Sequence, residues 1–448
     1  MLFYSTNHSA PKANFNEALF AGQAPDRGLY MPETIPRLTE DEFNSLKKKS
    51  YPEIAAAVLF KFLGEAFSRG ELDKLCADAY RFPVPVESVS DRRYILRLDR
   101  GPTASFKDFA ALMMARLMQN LRKGTGKKLV VLVATSGDTG SAIASAFHGL
   151  PEIDVIVLFP PAEVSERQRR QMTTLGGNVT AIGVQGKFDH CQSMVKQAFS
   201  DPDLDAVDLT SANSINIGRL LPQAVYYVYA YLQTAHPGES VVFSVPSGNF
   251  GNMMGALLAK RMGLPVSRLV VATNANDEVP VYLRTERYRP IAPSHVCISN
   301  AMNVGHPSNF ARVVDMYGGR MDEKGNFQLR PDLQRMRAEL YSVSIDDSET
   351  RRTIQEAWKR FRLLLEPHGA VGWAGLERYG SETGGIKLAV SVETAHPAKF
   401  PEEIESLLGF APEVPESLAG LETARESFKE MPPEYGAFRQ FLRERYLR

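Results

Sequence analysis

The sequence has little of several features that mark large classes of proteins. Its 448 residues hold three cysteines, Cys76, Cys191 and Cys297, whose wide separation argues against a disulfide framework or a zinc cluster. We predict that all three are small core residues. Lysine plus arginine equals aspartate plus glutamate at 52 each, so no net charge attracts nucleic acid or an anionic membrane surface.

Long apolar runs are also missing. No window approaches the ~18 consecutive apolar residues of a membrane span, and the first residues show no basic stretch followed by an apolar one. We therefore expect a soluble, cytoplasmic protein, either a monomer or a homodimer, whose partner is a small molecule. Neither nucleic acid nor a membrane is expected as a partner.

Strand and helix patterns alternate along most of the chain. Runs rich in β-branched residues at 128–134, 154–159 and 179–184 are separated by amphipathic segments, which is typical of parallel βαβ units. A second series has such runs at residues 240–246, 269–273 and 387–392. The pattern predicts an α/β protein with two lobes, each a parallel-type sheet flanked by helices.

The two series divide the chain into three predicted parts. Residues 1–95 form an N-terminal segment that packs on the larger lobe, residues 96–205 form a smaller α/β lobe, and residues 206–448 form the larger one. Helices are predicted at 51–69 and 216–234. The second carries four tyrosines that we expect to pack in the core: Tyr226, Tyr227, Tyr229 and Tyr231.

One lysine stands where a predicted helix begins. A short strand at 94–98 leads into a Gly-Pro turn, and helical spacing of apolar residues then runs from Ser105, a candidate N-cap, to residue 121. Lys107 falls in the first turn, where the positive end of the helix dipole and any burial both favour the neutral amine of a Schiff-base nucleophile. The alternative is a solvated lysine on an amphipathic helix.

A second informative stretch follows the strand predicted at 240–246. It reads Ser247-Gly248-Asn249-Phe250-Gly251-Asn252 and precedes an apolar helix. Ligands bind at this end of parallel strands, and amides at a helix N-terminus can hold a phosphate without lysine or arginine. The stretch is neither a Walker A loop nor a dinucleotide fingerprint, and an ordinary glycine-containing turn explains it about as well.

A similar turn reads Thr135-Ser136-Gly137-Asp138-Thr139-Gly140 after the strand at 128–134. Its hydroxyls and amides are candidates to bind a substrate carboxylate, with Asp138 as a hydrogen-bond acceptor. The alternative is simple helix capping by Asp138 or Thr139.

Two further sites complete the set of candidates. Thr394 follows the last predicted strand and is a candidate neutral partner for a ring nitrogen, whereas His396 is expected to be structural. Asn216 and Arg219 lie three residues apart at a helix start and share one face, which suits a second anion. Helix capping accounts for part of this second pattern equally well.

In this order, these motifs resemble those of fold-type-II pyridoxal-phosphate enzymes and, more narrowly, of the threonine synthase family. The resemblance extends to residues 15–19 and 26–33 near the N-terminus and to residues 394–400. It implies the cofactor pyridoxal 5′-phosphate and a carbon–oxygen lyase that converts O-phospho-L-homoserine and water into L-threonine and phosphate, the last step of threonine biosynthesis.

The resemblance also implies roles for individual residues. Lys107 would bind the cofactor covalently and act as the general base, Thr394 would bond the pyridine nitrogen, and Asp138 stands where many relatives of the wider fold type carry asparagine facing the phenolic oxygen. The cofactor phosphate would be held by Gly248, Asn249, Phe250, Gly251 and Asn252. The substrate would be bound by Thr135, Ser136, Gly137 and Thr139 at its carboxylate and by Asn216 and Arg219 at its phosphate.

Two alternatives stay open on the sequence. The first is another enzyme of the same fold, such as a serine/threonine dehydratase or a β-replacement synthase. The second is a non-catalytic paralogue that keeps the fold, although the lysine at position 107 argues against it.

Overall fold

The computed structural model describes residues 1–135, 137–236 and 238–447. Its strands are β1 (Phe3–Ser5), β2 (Tyr30–Pro32), β3 (Val86–Ser90), β4 (Arg93–Arg97), β5 (Leu129–Ala134), β6 (Ile153–Phe159), β7 (Val179–Val184), β8 (Asp208–Ser211), β9 (Val241–Pro246), β10 (Val266–Thr273), β11 (Arg320–Met321), β12 (Phe327–Leu329), β13 (Leu340–Ser344), β14 (Ala389–Glu393) and β15 (Lys429–Met431).

Helices cover the sheets and connect the strands. They are α1 (Phe15–Ala21), α2 (Glu40–Leu46), α3 (Tyr51–Leu63), α4 (Arg69–Ala79), α5 (Lys107–Arg122), α6 (Asp138–Phe147), α7 (Glu166–Thr173), α8 (Phe188–Ala198), α9 (Ile217–Leu220), α10 (Gln223–Thr234), α11 (Gly251–Arg261), α12 (Glu278–Thr285), α13 (Phe310–Met316), α14 (Leu333–Glu339), α15 (Asp347–Phe361), α16 (Pro367–Thr383), α17 (Pro401–Leu408) and α18 (Tyr435–Tyr446).

Two sheets organise the molecule, and we call the parts around them the larger and the smaller lobe. The larger sheet has the order β13-β10-β9-β14-β4-β3 and is parallel except for its edge pair β3 and β4. The smaller sheet has the order β15-β7-β6-β5-β8 and is parallel throughout. The predicted two-lobed α/β fold is therefore confirmed.

The chain passes between the lobes more often than a linear division implies. Strand β4 belongs to the larger sheet, and β8 and β15 belong to the smaller one although both follow residue 205. The boundaries at residues 95 and 205 stay a prediction. We propose that the smaller lobe also includes β8 and the C-terminal β15 and α18.

Most predicted elements agree with the structure to within a few residues, and two helices differ. The helix predicted at 216–234 is split into α9 and α10 around Pro222, because proline has no N–H to continue the ladder. The helix predicted at 51–69 ends at Leu63, and Ser68 caps the next helix. Residues 280–340, which show no sustained period, hold three short α-helices, a 3-10 helix at Asn300–Met302 and the β11–β12 hairpin.

The interior contains the residues that the pattern predicts. Tyr226 and Tyr227 are fully buried, and so are the three cysteines to within 8%. The prediction for the cysteines is confirmed. Of the other two tyrosines, Tyr231 is also buried, whereas Tyr229 is only partly buried and packs against the core. Within the part of the chain that the structure describes, no helix is long and apolar enough to cross a bilayer.

The C-terminal helix seals one face of the smaller sheet, which gives a test of the fold. Phe438 of α18 is fully buried in a core with Cys191 and Met194 of α8. Phe438→Ala should lower the free energy of unfolding by about 3–5 kcal/mol, since it removes buried area and leaves a cavity. Phe199→Ala, at a half-exposed position after α8, should change it by less than ~0.5 kcal/mol. Chemical denaturation measures both, and equal effects would contradict this packing.

Candidate functional site

A cavity of about 390 Å³ lies where the carboxyl ends of the central strands of the larger sheet face the smaller lobe. Its size is that of a small-molecule site. Helices α5, α6 and α11 begin at its wall, and β9 and β14 end there. Residues of α8 and of the segments 291–294 and 301–306 also line the cavity. Of the predicted site residues, those that line it are Lys107, Asp138, Thr139, Arg219, Gly248, Asn249, Phe250, Gly251, Asn252 and Thr394.

Lys107 is the first residue of α5, and its side chain is 14% exposed. The N-cap is Phe106 in helical geometry, so the prediction of Ser105 as N-cap is wrong. Ser105 instead forms a bridge to Ala395, while the Phe106 N–H donates to the Thr394 carbonyl at 2.8 Å. These contacts tie the start of α5 to the loop after β14.

The electrostatic surroundings of Lys107 favour its neutral form. Burial lowers the pKa of Lys107, the positive charges of Lys399 and Arg219 act in the same direction, and Asp138 opposes them. The distance from Lys107 Nζ to Asp138 Oδ2 is 3.7 Å. The alternative of a solvated surface lysine is therefore excluded by the geometry.

Asp138 is held by two partners that the sequence did not indicate. Lys399 Nζ lies 2.6 Å from Asp138 Oδ1, and the Gln168 amide donates to the same oxygen at 3.1 Å. Gly137 adopts a φ of 145°, and a Cβ there would lie 2.6 Å from the Gln168 side chain. A glycine is needed at this position for both reasons. Burial alone would raise the pKa of Asp138, but Lys399 and then Lys107 outweigh it and the pKa is lowered.

The loop between β9 and α11 has the geometry of an anion site. Phe250 takes a left-handed conformation with φ 61° directly before α11, and no side chain of the described residues caps the helix. The first amides of α11 are thus available to a ligand. Strain of this kind in a non-glycine residue is typical of functional turns.

Asn252 adds an unpaired donor to this loop. Its Oδ1 accepts hydrogen bonds from Tyr226 at 2.6 Å and Tyr227 at 2.7 Å. Among the described residues its buried Nδ2 has no partner, although Asn252 lines the cavity. A buried donor without a partner is costly, so a ligand oxygen here satisfies a group that the protein leaves open.

Asn249 braces the loop from the other side. Its Nδ2 donates to Ser214 Oγ at 2.6 Å, and its Oδ1 accepts from the Ser308 N–H at 2.6 Å. A Cβ on Gly248 would lie 2.8 Å from the Met302 backbone, which is why the loop can approach this segment so closely. The phosphate-loop residues are thus brought together.

The turn after β5 is only partly available to a ligand. Thr135 does not line the cavity, because its hydroxyl accepts hydrogen bonds from the N–H groups of Gly137 and Gly140 at 3.0 and 2.8 Å. Thr139 does line it. Ser136, also predicted to bind substrate, lies outside the described residues.

Asn216 and Arg219 are separated in role. Asn216 is fully buried and caps α9. Its side-chain amide donates to the carbonyls of Leu19 and Ser211 at 2.8 and 2.9 Å, and it does not line the cavity. Arg219 lines the cavity, is nearly buried, and has no partner for its Nε among the described residues. Burial lowers the pKa of Arg219 to about 10, so it keeps its charge at neutral pH.

Thr394 stands beside a network of buried acids. Glu366 accepts from the His368 N–H at 2.8 Å and from His368 Nδ1 at 2.5 Å, while His368 Nε2 accepts from the Ala301 N–H at 3.0 Å. The Glu366 N–H donates to Glu393 at 3.0 Å. Burial and the charge of Glu366 raise the pKa of Glu393 well above its usual range.

Comparison with known proteins agrees with this geometry. The chain matches the family model of pyridoxal-phosphate dependent enzymes over residues 84–393, that of the threonine synthase N terminus over 2–80, and that of the threonine synthase C-terminal region over 369–442. Threonine synthase of Haemophilus influenzae is 38% identical over 446 residues and covers 99% of both chains.

Solved structures give the same result. Pyridoxal-phosphate-bound threonine synthase from Brucella melitensis superposes with a TM-score of 0.93 at 35% identity, covering 100% of this chain and 99% of its own. Threonine synthase from Escherichia coli gives 0.88 at 36% identity, covering 99% and 100%. The chain belongs to the threonine synthase family of pyridoxal-phosphate dependent enzymes.

Proposed function

We propose that this protein converts O-phospho-L-homoserine and water into L-threonine and phosphate. The observation that carries the proposal is a buried lysine, Lys107, in the same cavity as an uncapped helix start and a second cation, Arg219. That set suits a substrate that brings its own phosphate in addition to the cofactor. We propose a cytoplasmic enzyme, a monomer or a homodimer, that acts on this small molecule.

The residues present fit pyridoxal 5′-phosphate. Lys107 would hold it covalently, Gly248 to Asn252 would bind its phosphate through the amides of α11 and the open Nδ2 of Asn252, and Thr394 would be a neutral partner of its ring nitrogen. Asp138 would lie on the side of its phenolic oxygen. When bound, the cofactor supplies a sink for the electron pair left at the substrate Cα.

Proton transfer is the task of Lys107. Burial lowers the pKa of Lys107, which favours the free amine that a general base needs, so Lys107 would remove the Cα proton and later return protons to the carbon chain. A Cβ proton must also leave as phosphate departs from Cγ. Water would then add at Cβ, and protons taken up at Cγ and Cα would complete the conversion.

Two anionic groups of the substrate need partners. For the carboxylate we propose Thr139 and the start of α6, with Gly137 shaping the turn and Thr135 acting through its hydrogen bonds rather than by contact. For the leaving phosphate we keep Arg219, whose Nε has no hydrogen-bond partner in the part of the chain that the structure describes. We leave out Asn216, whose amide is bonded to backbone carbonyls.

Replacement of Lys107 is the first test. Lys107→Ala should abolish the visible absorbance of the bound cofactor and reduce phosphate release from O-phospho-L-homoserine by at least about 10³-fold, since anchor and base are lost together. Release is measured with the purified protein alongside L-threonine. Normal threonine formation by the variant, or ammonia release without phosphate release by the wild type, would contradict the proposal.

The phosphate loop can be tested at a single atom. Asn252→Asp keeps the acceptor for Tyr226 and Tyr227 but replaces the open donor by an oxygen, so the Kd for the cofactor should rise by about 10–100-fold. Asn44→Asp adds the same charge on the exposed face of α2 and should leave the Kd unchanged. An absorbance titration measures both, and an equal Kd for the two variants would remove Asn252 from the cradle.

Replacement of Arg219 tests whether this residue binds the substrate phosphate or the cofactor phosphate. Arg219→Met should raise the KM for O-phospho-L-homoserine by about 10–100-fold while the cofactor Kd stays near its wild-type value. Arg116→Met, which removes a partly buried arginine paired with Asp78, is the control. Steady-state kinetics measure the KM, and the absorbance titration measures the cofactor Kd. An unchanged KM with a weakened cofactor would reassign Arg219 to the cofactor phosphate.

A further inference from the structure

Lys399 is a buried lysine that the proposed mechanism does not use. It ends a short 3-10 helix, Pro397–Lys399, that follows Thr394, and its side chain is 1% exposed. An ammonium is rarely buried so completely unless it is paired. Its position in the fold, between the loop after β14 and the start of α6, therefore requires a specific partner.

Its partners connect the elements that carry the site. Lys399 Nζ lies 2.6 Å from Asp138 Oδ1 and donates to the Thr103 carbonyl at 3.0 Å. Thr103 in turn donates to Asp108 through its N–H at 2.9 Å and its hydroxyl at 2.6 Å. One side chain thus links the smaller lobe, the turn before Lys107 and the loop that carries Thr394.

Asp138 lies between two lysines at unequal distances. Asp138 Oδ1 is taken by Lys399 and Gln168, and the other oxygen lies 3.7 Å from Lys107 Nζ, beyond hydrogen-bond distance. Without Lys399, this carboxylate would have Lys107 as its nearest cation. It would then stabilise the ammonium form of Lys107.

Charged groups face Lys107 from several elements. Asp138 on α6 and Glu366 before α16 favour its ammonium form, whereas Lys399 and Arg219 disfavour it. His368 of α16 also lines the cavity. Lys399 acts twice in this balance, because it adds a positive charge and neutralises the carboxylate that is closest to Lys107.

We propose that Lys399 is a positioning residue that engages Asp138 more closely than Lys107 does and so favours the uncharged, reactive form of the Lys107 amine. The proposal rests on the role of Lys107 proposed above. It adds Lys399 as the residue that makes the Lys107 amine reactive. Burial lowers the pKa of Lys107, and the positive charge of Lys399 lowers it further. Both effects agree with the proposed role of Lys399.

The test follows the protonation of Lys107 itself, in the full-length chain after removal of the cofactor. Acetic anhydride acetylates only neutral amines, and peptide mass spectrometry gives the rate at Lys107 as a function of pH. Lys399→Met should raise the midpoint of this pH profile by about one pH unit and slow acetylation of Lys107 at pH 7 about tenfold. Lys399→Arg, which keeps the charge, should stay near the wild-type profile.

Companion variants keep the test decisive if Lys399→Met folds poorly. Asp138→Asn should shift the midpoint downward, since Lys399 then lies unpaired beside Lys107, and Asp138→Asn with Lys399→Met should return it toward the wild type. Lys128→Met removes an exposed lysine 3.0 Å from Asp154 and should change nothing at Lys107. Circular dichroism confirms that each variant is folded.

Two results would overturn the proposal: an unchanged midpoint in folded Lys399→Met, or an upward shift in Asp138→Asn. The readout does not need turnover. If the wild type releases no phosphate from O-phospho-L-homoserine but the midpoints shift as stated, the proposed function fails and the role of Lys399 stands. Phosphate release with unchanged midpoints gives the reverse outcome.

Discussion

One carboxylate between two buried lysines is the interaction on which the site depends. Asp138 is 2.6 Å from Lys399 and 3.7 Å from Lys107, and all three side chains are largely removed from water. Two ammonium groups beside one carboxylate in such a place would leave an excess positive charge, and this lowers the pKa of Lys107 together with burial. The electrostatics of the cluster and the reactivity of the lysine therefore have one cause.

The topology explains how residues so distant in sequence reach this cluster. Parallel strands end at the same edge of their sheet, so the loops after β9 and β14 lie side by side, and the start of α6 faces them from the smaller lobe. The Phe106 N–H to Thr394 carbonyl hydrogen bond then fixes the turn before Lys107 against the loop after β14. Ligand groups are thus presented by rigid helix starts and strand ends.

What could be predicted from the sequence was local. The βα turn at Ser247–Asn252 and the placement of Lys107 at a helix start follow from neighbouring residues, and the structure brings both to one cavity. Lys399, Gln168 and the tyrosine pair on Asn252 were not predicted, because their partners lie 25 or more residues away and only tertiary packing joins them. The prediction that Asn216 binds the substrate was unsupported for the same reason, because its partner Leu19 lies far away in the sequence.

We propose that Lys107, and not Lys399, is the lysine that binds the cofactor. Borohydride reduction of the purified protein with its cofactor bound, followed by proteolysis and mass spectrometry of the peptides, tests it directly. We expect a pyridoxyl group on Lys107 and an unmodified Lys399. A pyridoxyl group on Lys399, or a Lys107 that stays unmodified while the colour is lost, would contradict it.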